Sequence, residues 1–183
     1  MRLVAALLCV LAAPAAADPP PHALVSLGAS AGFEDNNTTH TLDFSLGGRI
    51  TPALWGIATA RGGSSDHACG DCVGDADLRE GTVGVLYLPC HGTICLGASL
   101  ALGYARRETY FPPSRDASGN TYPAGYELHN YLVTEARGRV VVHLVDHVGL
   151  EASVALRYER RLYDPDYANV GAALATIALD AWL

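Results

Sequence analysis

The chain has 183 residues, of which 50% are hydrophobic and 17% are charged, with 19 Gly and 10 Pro. This apolar share excludes an intrinsically disordered chain, and the length suits one domain. All 12 basic residues are Arg, set against 19 acidic residues and a net charge of −7, so nucleic-acid binding is not expected.

The first 17 residues have the pattern of an export signal. Arg2 precedes an apolar stretch from Leu3 to Ala13, and the small residues at 15–17 suit cleavage by a signal peptidase. We therefore predict a signal peptide at 1–17 and a mature chain at 18–183. An uncleaved anchor helix is the alternative, but the apolar stretch is shorter than the about 18 residues that span a bilayer.

Alternation with a period of two follows and predicts eight β-strands. The clearest case has Val148, Leu150 and Ala152 on one face and Glu151 and Ser153 on the other. A helix would scatter these residues around its circumference, whereas a strand separates them. The predicted strands are, in chain order, 23–33, 39–50, 54–61, 77–88, 94–110, 126–145, 148–161 and 170–183.

Short and long connections alternate between these strands. The short connections are predicted at 51–53, 89–93 and 146–147, and the long ones at 34–38, 62–75, 111–125 and 164–169. Short turns at one end and long loops at the other are typical of bacterial outer-membrane barrels. No segment after Ala17 suits a transmembrane helix, because charged residues and histidines interrupt the most apolar stretch, 140–156.

The signal peptide, the eight amphipathic strands and the alternating loop lengths together resemble the small outer-membrane barrels of OmpA/OmpX type. This resemblance of pattern implies an all-β fold, an eight-stranded antiparallel up-and-down transmembrane β-barrel in the bacterial outer membrane. It implies a monomer whose partners are outer-membrane lipid, the barrel assembly machinery and an extracellular ligand bound through the long loops. The chain departs from the family by ending in Leu183, where an aromatic residue is usual.

A soluble exported barrel that binds an apolar ligand, as lipocalins do, would also have alternating strands. Its apolar face would line the cavity, whereas the apolar face of a membrane barrel points outwards to lipid. The charged face of such a soluble barrel would meet water, whereas the polar face here is largely Gly and Ser, which fit the inside of a narrow barrel. An interfacial girdle would explain the aromatic residues near strand ends. These residues are Tyr87, Tyr104, Tyr131, Tyr158, Trp55 and Trp182. The membrane barrel is therefore the preferred interpretation, and the lipocalin-like barrel is the alternative.

Four cysteines after the signal peptide form two pairs that are close in sequence, Cys69 with Cys72 and Cys90 with Cys95. We predict a disulfide within each pair, because exported chains reach an oxidising compartment. The strand between the pairs holds them at opposite rims, too far apart for a cross-link. A metal or redox site at Cys69–Cys72 is the alternative. His67 and neighbouring Asp residues could add ligands, but a lone CxxC is a weak signal for zinc, and no helix pattern follows as a redox site would require. We predict no metal and no cofactor.

Catalysis is not expected from this sequence. His129, Ser153, Glu127 and Glu151 lie on predicted strands and lack the strand-to-helix turn of a nucleophile elbow, and a lone His on a strand is more often structural than catalytic. A lipid-modifying outer-membrane enzyme is therefore only the second alternative.

Charged side chains of both signs point into the lumen if the apolar face points outwards. Arg can bridge carboxylates in a bidentate geometry, so we predict a connected network that plugs the lumen and prevents conduction. The expected function is that of a structural or surface-interaction protein. The predicted network comprises Asp43, Arg49, Glu80, Arg107, Glu127, Glu135, Arg137, Arg139, Glu151, Arg157, Glu159 and Arg161, with His129 among them.

Overall fold

A computed structural model describes residues 21–34, 37–69, 72–115, 118–163 and 170–183. The predicted signal peptide at 1–17 lies outside the described residues. The eight long strands are β1 (Ala23–Glu34), β2 (Asn37–Arg49), β3 (Leu54–Cys69), β4 (Cys72–Tyr87), β5 (Ile94–Phe111), β6 (Gly125–Val145), β7 (Val148–Arg161) and β8 (Val170–Trp182). In the described part of the chain, no helix is long and apolar enough to cross a membrane.

The eight strands form one closed antiparallel barrel. Each strand pairs with the next along the chain, and β1 also pairs with β8, so that Leu27 lies opposite Phe44 on one side and Leu179 on the other. Closure gives both edges of the sheet a partner, which backbone groups need wherever water is absent. The predicted eight-stranded antiparallel fold is confirmed.

The two faces of each strand have opposite character. On β2, Leu42 points outwards with 68% of its surface exposed, whereas the neighbouring Asp43 points inwards and is 4% exposed. On β7, Leu156 is exposed and Arg157 is buried in the same way. A protein folded in water buries its apolar residues and exposes its charges, so this arrangement argues against the lipocalin-like alternative.

Three short connections lie at one end of the barrel, called here the turn end. They are residues 50–53, 88–93 and 146–147. The C-terminal residue lies at the same end, where the carbonyl oxygen of Leu183 accepts a hydrogen bond of 3.0 Å from the backbone N–H of Ala23. Within 88–93, Gly92 has a φ of 62°, a left-handed conformation that glycine adopts without steric cost at a tight turn.

The opposite end of the barrel is called here the loop end. The long loop predicted there at 62–75 is wrong. The strand β3 continues to Cys69 and β4 begins at Cys72, and the two pair along their whole length. This extension of the two strands was not predicted, because residues 62–65 are Gly-Gly-Ser-Ser. These residues have low strand propensity and no apolar side chain that would mark one face of a strand. A long hairpin therefore replaces the long loop.

The other loop-end connections also differ from the expected bounds. The predicted loop at 34–38 shortens to the two residues between β1 and β2. The predicted loop at 111–125 contains two short paired segments, Ser114–Arg115 and Thr121–Tyr122. The predicted loop at 164–169 lies outside the described residues.

Two apolar clusters lie inside the barrel. The turn-end cluster consists of Leu24, Trp55, Leu86, Leu88, Cys95, Val141 and Trp182, with Ile57 packed against it. The loop-end cluster consists of Leu78, Ala105, Tyr131 and Val133. The sequence pattern predicted that Trp55, Trp182 and Tyr131 belong to an outer girdle. This prediction is wrong, because all three side chains lie inside the barrel. Each stands an even number of residues from a buried polar residue of its own strand, so alternation turns its side chain inwards.

Candidate functional site

Arg61 of β3 lies at the centre of a group of ion pairs inside the barrel. Its Nη1 donates to Glu80 Oε1 at 2.8 Å and to Glu135 Oε2 at 2.9 Å, and its Nε donates to Asp43 Oδ1 at 3.0 Å. Arg61 itself is 4% exposed. One guanidinium therefore joins carboxylates from β2, β4 and β6 across the interior.

The network continues along β6 towards the turn end. Arg137 Nε donates to Glu135 Oε1 at 3.0 Å, and Arg137 Nη2 lies 3.5 Å from Asp43 Oδ2. Glu151 of β7 accepts a hydrogen bond of 2.9 Å from Arg139 Nη1, and its other oxygen lies 4.0 Å from Arg137 Nη1. Alternating positive and negative groups thus connect β2, β6 and β7.

The network also continues towards the loop end. Arg157 of β7 forms ion pairs with Glu80 and with Glu159. Arg107 Nη2 donates to Glu159 Oε1 at 3.0 Å, and the Arg107 guanidinium carbon lies 5.5 Å from the centre of the Tyr131 ring. Because Tyr131 belongs to the loop-end cluster, the ion pairs reach that cluster directly.

Hydroxyl groups complete the surroundings of Asp43. Ser30 Oγ donates to Asp43 Oδ2 at 2.8 Å, and Thr41 Oγ1 donates to Asp43 Oδ1 at 2.9 Å. Ser30 also contacts Thr176 Oγ1 at 2.7 Å, which ties β1 to β8. Hydrogen bonds to a charged group are about twice as strong as neutral ones, and a buried charge is tolerated only when it is paired in this way. These bonds connect the neighbouring strands β8, β1 and β2 around the buried carboxylate.

The structure brings nine of the predicted lumen residues together in this network, and the other four make the contacts given below. The residues joined are Asp43, Glu80, Arg107, Glu135, Arg137, Arg139, Glu151, Arg157 and Glu159. Arg49 lies at the turn end and donates to the carbonyl oxygens of Thr51 and Pro52. Near the loop end, His129 contacts both Glu127, at 3.2 Å, and Arg161.

Two charged interior residues, Arg61 and Asp180, were not among the predicted lumen residues. Asp180 is almost fully buried on β8, at a position that the alternation of 170–183 assigns to the inner face. Arg61 stood at the end of the predicted third strand, where small outward residues weaken the pattern. Arg61 stands six residues after Trp55 and therefore faces the same way, so placing Trp55 in an outer girdle also concealed the inward direction of Arg61.

The disulfide between Cys90 and Cys95 is present, as predicted. The two residues face each other across the β4–β5 turn with their Cα atoms 4.0 Å apart. His143 Nε2 lies 3.2 Å from Cys95 Sγ, but both sulfur atoms are used in the disulfide and offer no thiolate to a metal ion. The side chains of Cys69 and Cys72 lie outside the described residues, so their disulfide stays a prediction.

The residues considered for esterase chemistry do not meet. Ser153 is buried inside the barrel, where its Oγ lies 3.4 Å from Arg137 Nη1. Ser153 pairs with Arg139 of β6, ten residues from His129 on the same strand. At about 3.3 Å per residue, this separation is about 33 Å, far beyond the reach of a hydrogen bond.

Solved structures share this architecture. Neisserial surface protein A has 12% identity and a TM-score of 0.64, and the match covers 88% of this chain and 96% of that chain. A major outer-membrane protein of Thermus thermophilus has 13% identity and a TM-score of 0.57, covering 88% of this chain and 99% of that chain. The attachment invasion locus protein Ail of Yersinia pestis, in complex with the heparin analogue sucrose octasulfate, has 13% identity and a TM-score of 0.56, with coverages of 88% and 99%.

Sequence comparisons give no such match. No family model matches the chain, and no curated protein matches it. At this low identity the structural likeness concerns the fold. The outer-membrane location expected from the sequence agrees with the description of the Thermus thermophilus protein as an outer-membrane protein. The chain has the fold of the small eight-stranded outer-membrane β-barrels.

Proposed function

We propose that the protein is a structural or surface-interaction barrel of the bacterial outer membrane, with a plugged and non-conducting lumen. The observation that carries this proposal is the ion-pair network around Arg61, which crosses the interior between the two apolar clusters. The interior of an eight-stranded barrel is just wide enough for side chains. Side chains that meet across the barrel axis therefore leave no continuous path for water and ions.

The outer surface supports the membrane location. On β5, the outward side chains from Ile94 to Tyr104 are apolar or aromatic, and Arg106 is the next outward residue. These positions span about 33 Å along the strand at 3.3 Å per residue. With a strand tilt of about 40°, the band is about 25 Å high, which matches the apolar band of outer-membrane barrels.

Exposed aromatic residues at the loop end support a role at the cell surface. Phe33, Tyr126 and Tyr163 are largely exposed, and the rings of Tyr110 and Tyr126 lie 5.1 Å apart. Tyrosine side chains bury much area with little loss of conformational freedom, so they are enriched where proteins bind partners. We place the extracellular ligand at this end and the periplasm at the turn end.

The remaining partner assignments follow from the same proposal. Outer-membrane lipid surrounds the apolar band, the barrel assembly machinery inserts the chain, and the folded protein is a monomer. No catalytic role is proposed, because the interior offers ion pairs between protein groups and the candidate Ser153 lies among them.

Cell fractionation tests the location. The full chain, expressed in a Gram-negative host, should appear in the outer-membrane fraction and show two mobilities on SDS gels, before and after boiling. Recovery of the processed protein as a soluble periplasmic monomer would contradict the proposal.

A matched pair of substitutions tests contact with lipid. Leu100 is 63% exposed near the middle of the apolar band, and Tyr163 is 84% exposed beyond it. Arg at the bilayer midplane costs about 2–4 kcal/mol, so Leu100→Arg should lower the free energy of unfolding in lipid vesicles by that amount. Tyr163→Arg should change it by less than about 0.5 kcal/mol. Equal, small effects of both changes would show that Leu100 does not face lipid.

A further inference from the structure

Two arginines lie side by side on the outer surface, where the apolar band ends at the loop end. Arg79 of β4 pairs directly with Arg106 of β5, and both side chains point outwards. Directly opposed like charges on a sheet destabilise it, since their Cβ atoms are about 5 Å apart. An anion between the two guanidinium groups would turn this repulsion into attraction.

Existing partners leave the arginine pair largely available. Arg106 Nη2 lies 3.9 Å from Glu108 Oε2. The Arg106 side chain is 51% exposed and the Glu108 side chain is 46% exposed, so this contact leaves the guanidinium accessible. Among the described residues, no carboxylate lies within ion-pair distance of Arg79. Asp77 pairs with Glu108 two residues further towards the loop end, which puts the acidic groups on the water side of the arginines.

A shallow apolar depression lies directly below the arginine pair, within the lipid-facing band. Its base consists of Ala60 and Gly81, which pair with each other on β3 and β4. A Cβ added to Gly81 would meet no atom within 4 Å, so the space above it is open. Phe44 and Tyr104 stand on the flanking strands at the same level, and each ring is about half exposed.

We propose that Arg79 and Arg106 bind the phosphate group of a lipid in the outer leaflet, with one of its acyl chains in the depression over Ala60 and Gly81. Guanidinium groups bind phosphate in a bidentate geometry, and basic residues at a membrane boundary bind anionic headgroups. The proposal rests on the outer-membrane location and names the lipid class that this surface would select. The acyl chain would fill the depression between the rings of Phe44 and Tyr104.

The test compares lipid retention by purified, refolded protein in a neutral detergent. The probes are diphosphoryl lipid A, the same lipid with its phosphates removed, and inorganic phosphate alone, each measured by native mass spectrometry. The wild type should retain the diphosphoryl lipid at least about tenfold better than the dephosphorylated one. Arg79→Gln combined with Arg106→Gln should remove this preference, whereas Arg160→Gln, an exposed arginine of β7, should leave it unchanged.

A second variant separates the lipid from a free anion. Gly81→Leu should weaken retention of the diphosphoryl lipid several-fold by filling the depression, while both arginines stay in place. Displacement of the lipid by an equal concentration of inorganic phosphate, or equal retention by wild type and the double variant, would overturn the proposal. The gel mobility shift on boiling shows that each variant is folded. Failure to retain lipid in a protein that still fractionates with the outer membrane would refute the lipid site alone.

Discussion

Removing the Arg61 side chain should be among the most damaging changes that the interior can suffer. Arg61→Ala would leave Asp43, Glu80 and Glu135 facing one another without the guanidinium that now lies 2.8–3.0 Å from each of them. Removing one partner of a buried ion pair costs about 3–5 kcal/mol, because the remaining charge stays buried. That loss corresponds to roughly a hundred- to several-thousand-fold in the unfolding equilibrium constant.

The loss can be measured by urea unfolding in lipid vesicles. Trp55 and Trp182 are buried in the turn-end cluster, so their fluorescence reports opening of the barrel. Arg160→Ala, on the exposed face of β7, is the matched control and should change the free energy of unfolding by less than about 0.5 kcal/mol. Adding Glu135→Ala to Arg61→Ala should recover part of the loss, with a coupling of about 0.5–3 kcal/mol. A cost below about 1 kcal/mol for Arg61→Ala would refute the view that the network holds the walls together.

Two further changes test the packing of the barrel. Gly84→Ala should destabilise the protein severely, because the added Cβ would lie 2.2 Å from a backbone carbonyl oxygen of β5, whereas Gly81→Ala on the same strand meets nothing and should be nearly neutral. Similar gel mobility shifts and urea midpoints for these two variants would contradict the assigned register. Trp182→Ala should lower the free energy of unfolding by about 3–5 kcal/mol, since it removes one of the two tryptophans of the turn-end cluster. An unchanged urea midpoint would show that Trp182 does not pack inside.

The alternation of residues is clearest in β1, β2, β5 and β7, where large apolar side chains mark the outer face. Weaker alternation in the other four strands completed the predicted count of eight and the closed antiparallel fold. The long hairpin of β3 and β4 was not predicted, because small residues face outwards at 56–64 and glycine and serine resemble a loop. Its extent depends on pairing between distant residues, such as Gly62 with Arg79, which local propensity does not specify.

The sequence predicted most of the charged side chains that face the interior, but it did not predict which of them form ion pairs with one another. Parity along each strand indicates that Asp43, Glu135 and Arg137 face inwards, and the structure places them there. Which Arg meets which carboxylate depends on the stagger between strands, and this stagger requires the register of the whole barrel. The same stagger brings Arg61 of β3 to Glu135 of β6, although 74 residues separate them.

The central claim is that this barrel has no conducting lumen, and recording from planar lipid bilayers tests it most directly. Purified protein, refolded and shown to be inserted by its gel mobility shift, should produce no stable current steps across the bilayer. The ion pairs of Arg61 and the two apolar clusters predict this result, because they occupy the narrow interior of an eight-stranded barrel. A stable, ohmic conductance of porin size would contradict the claim.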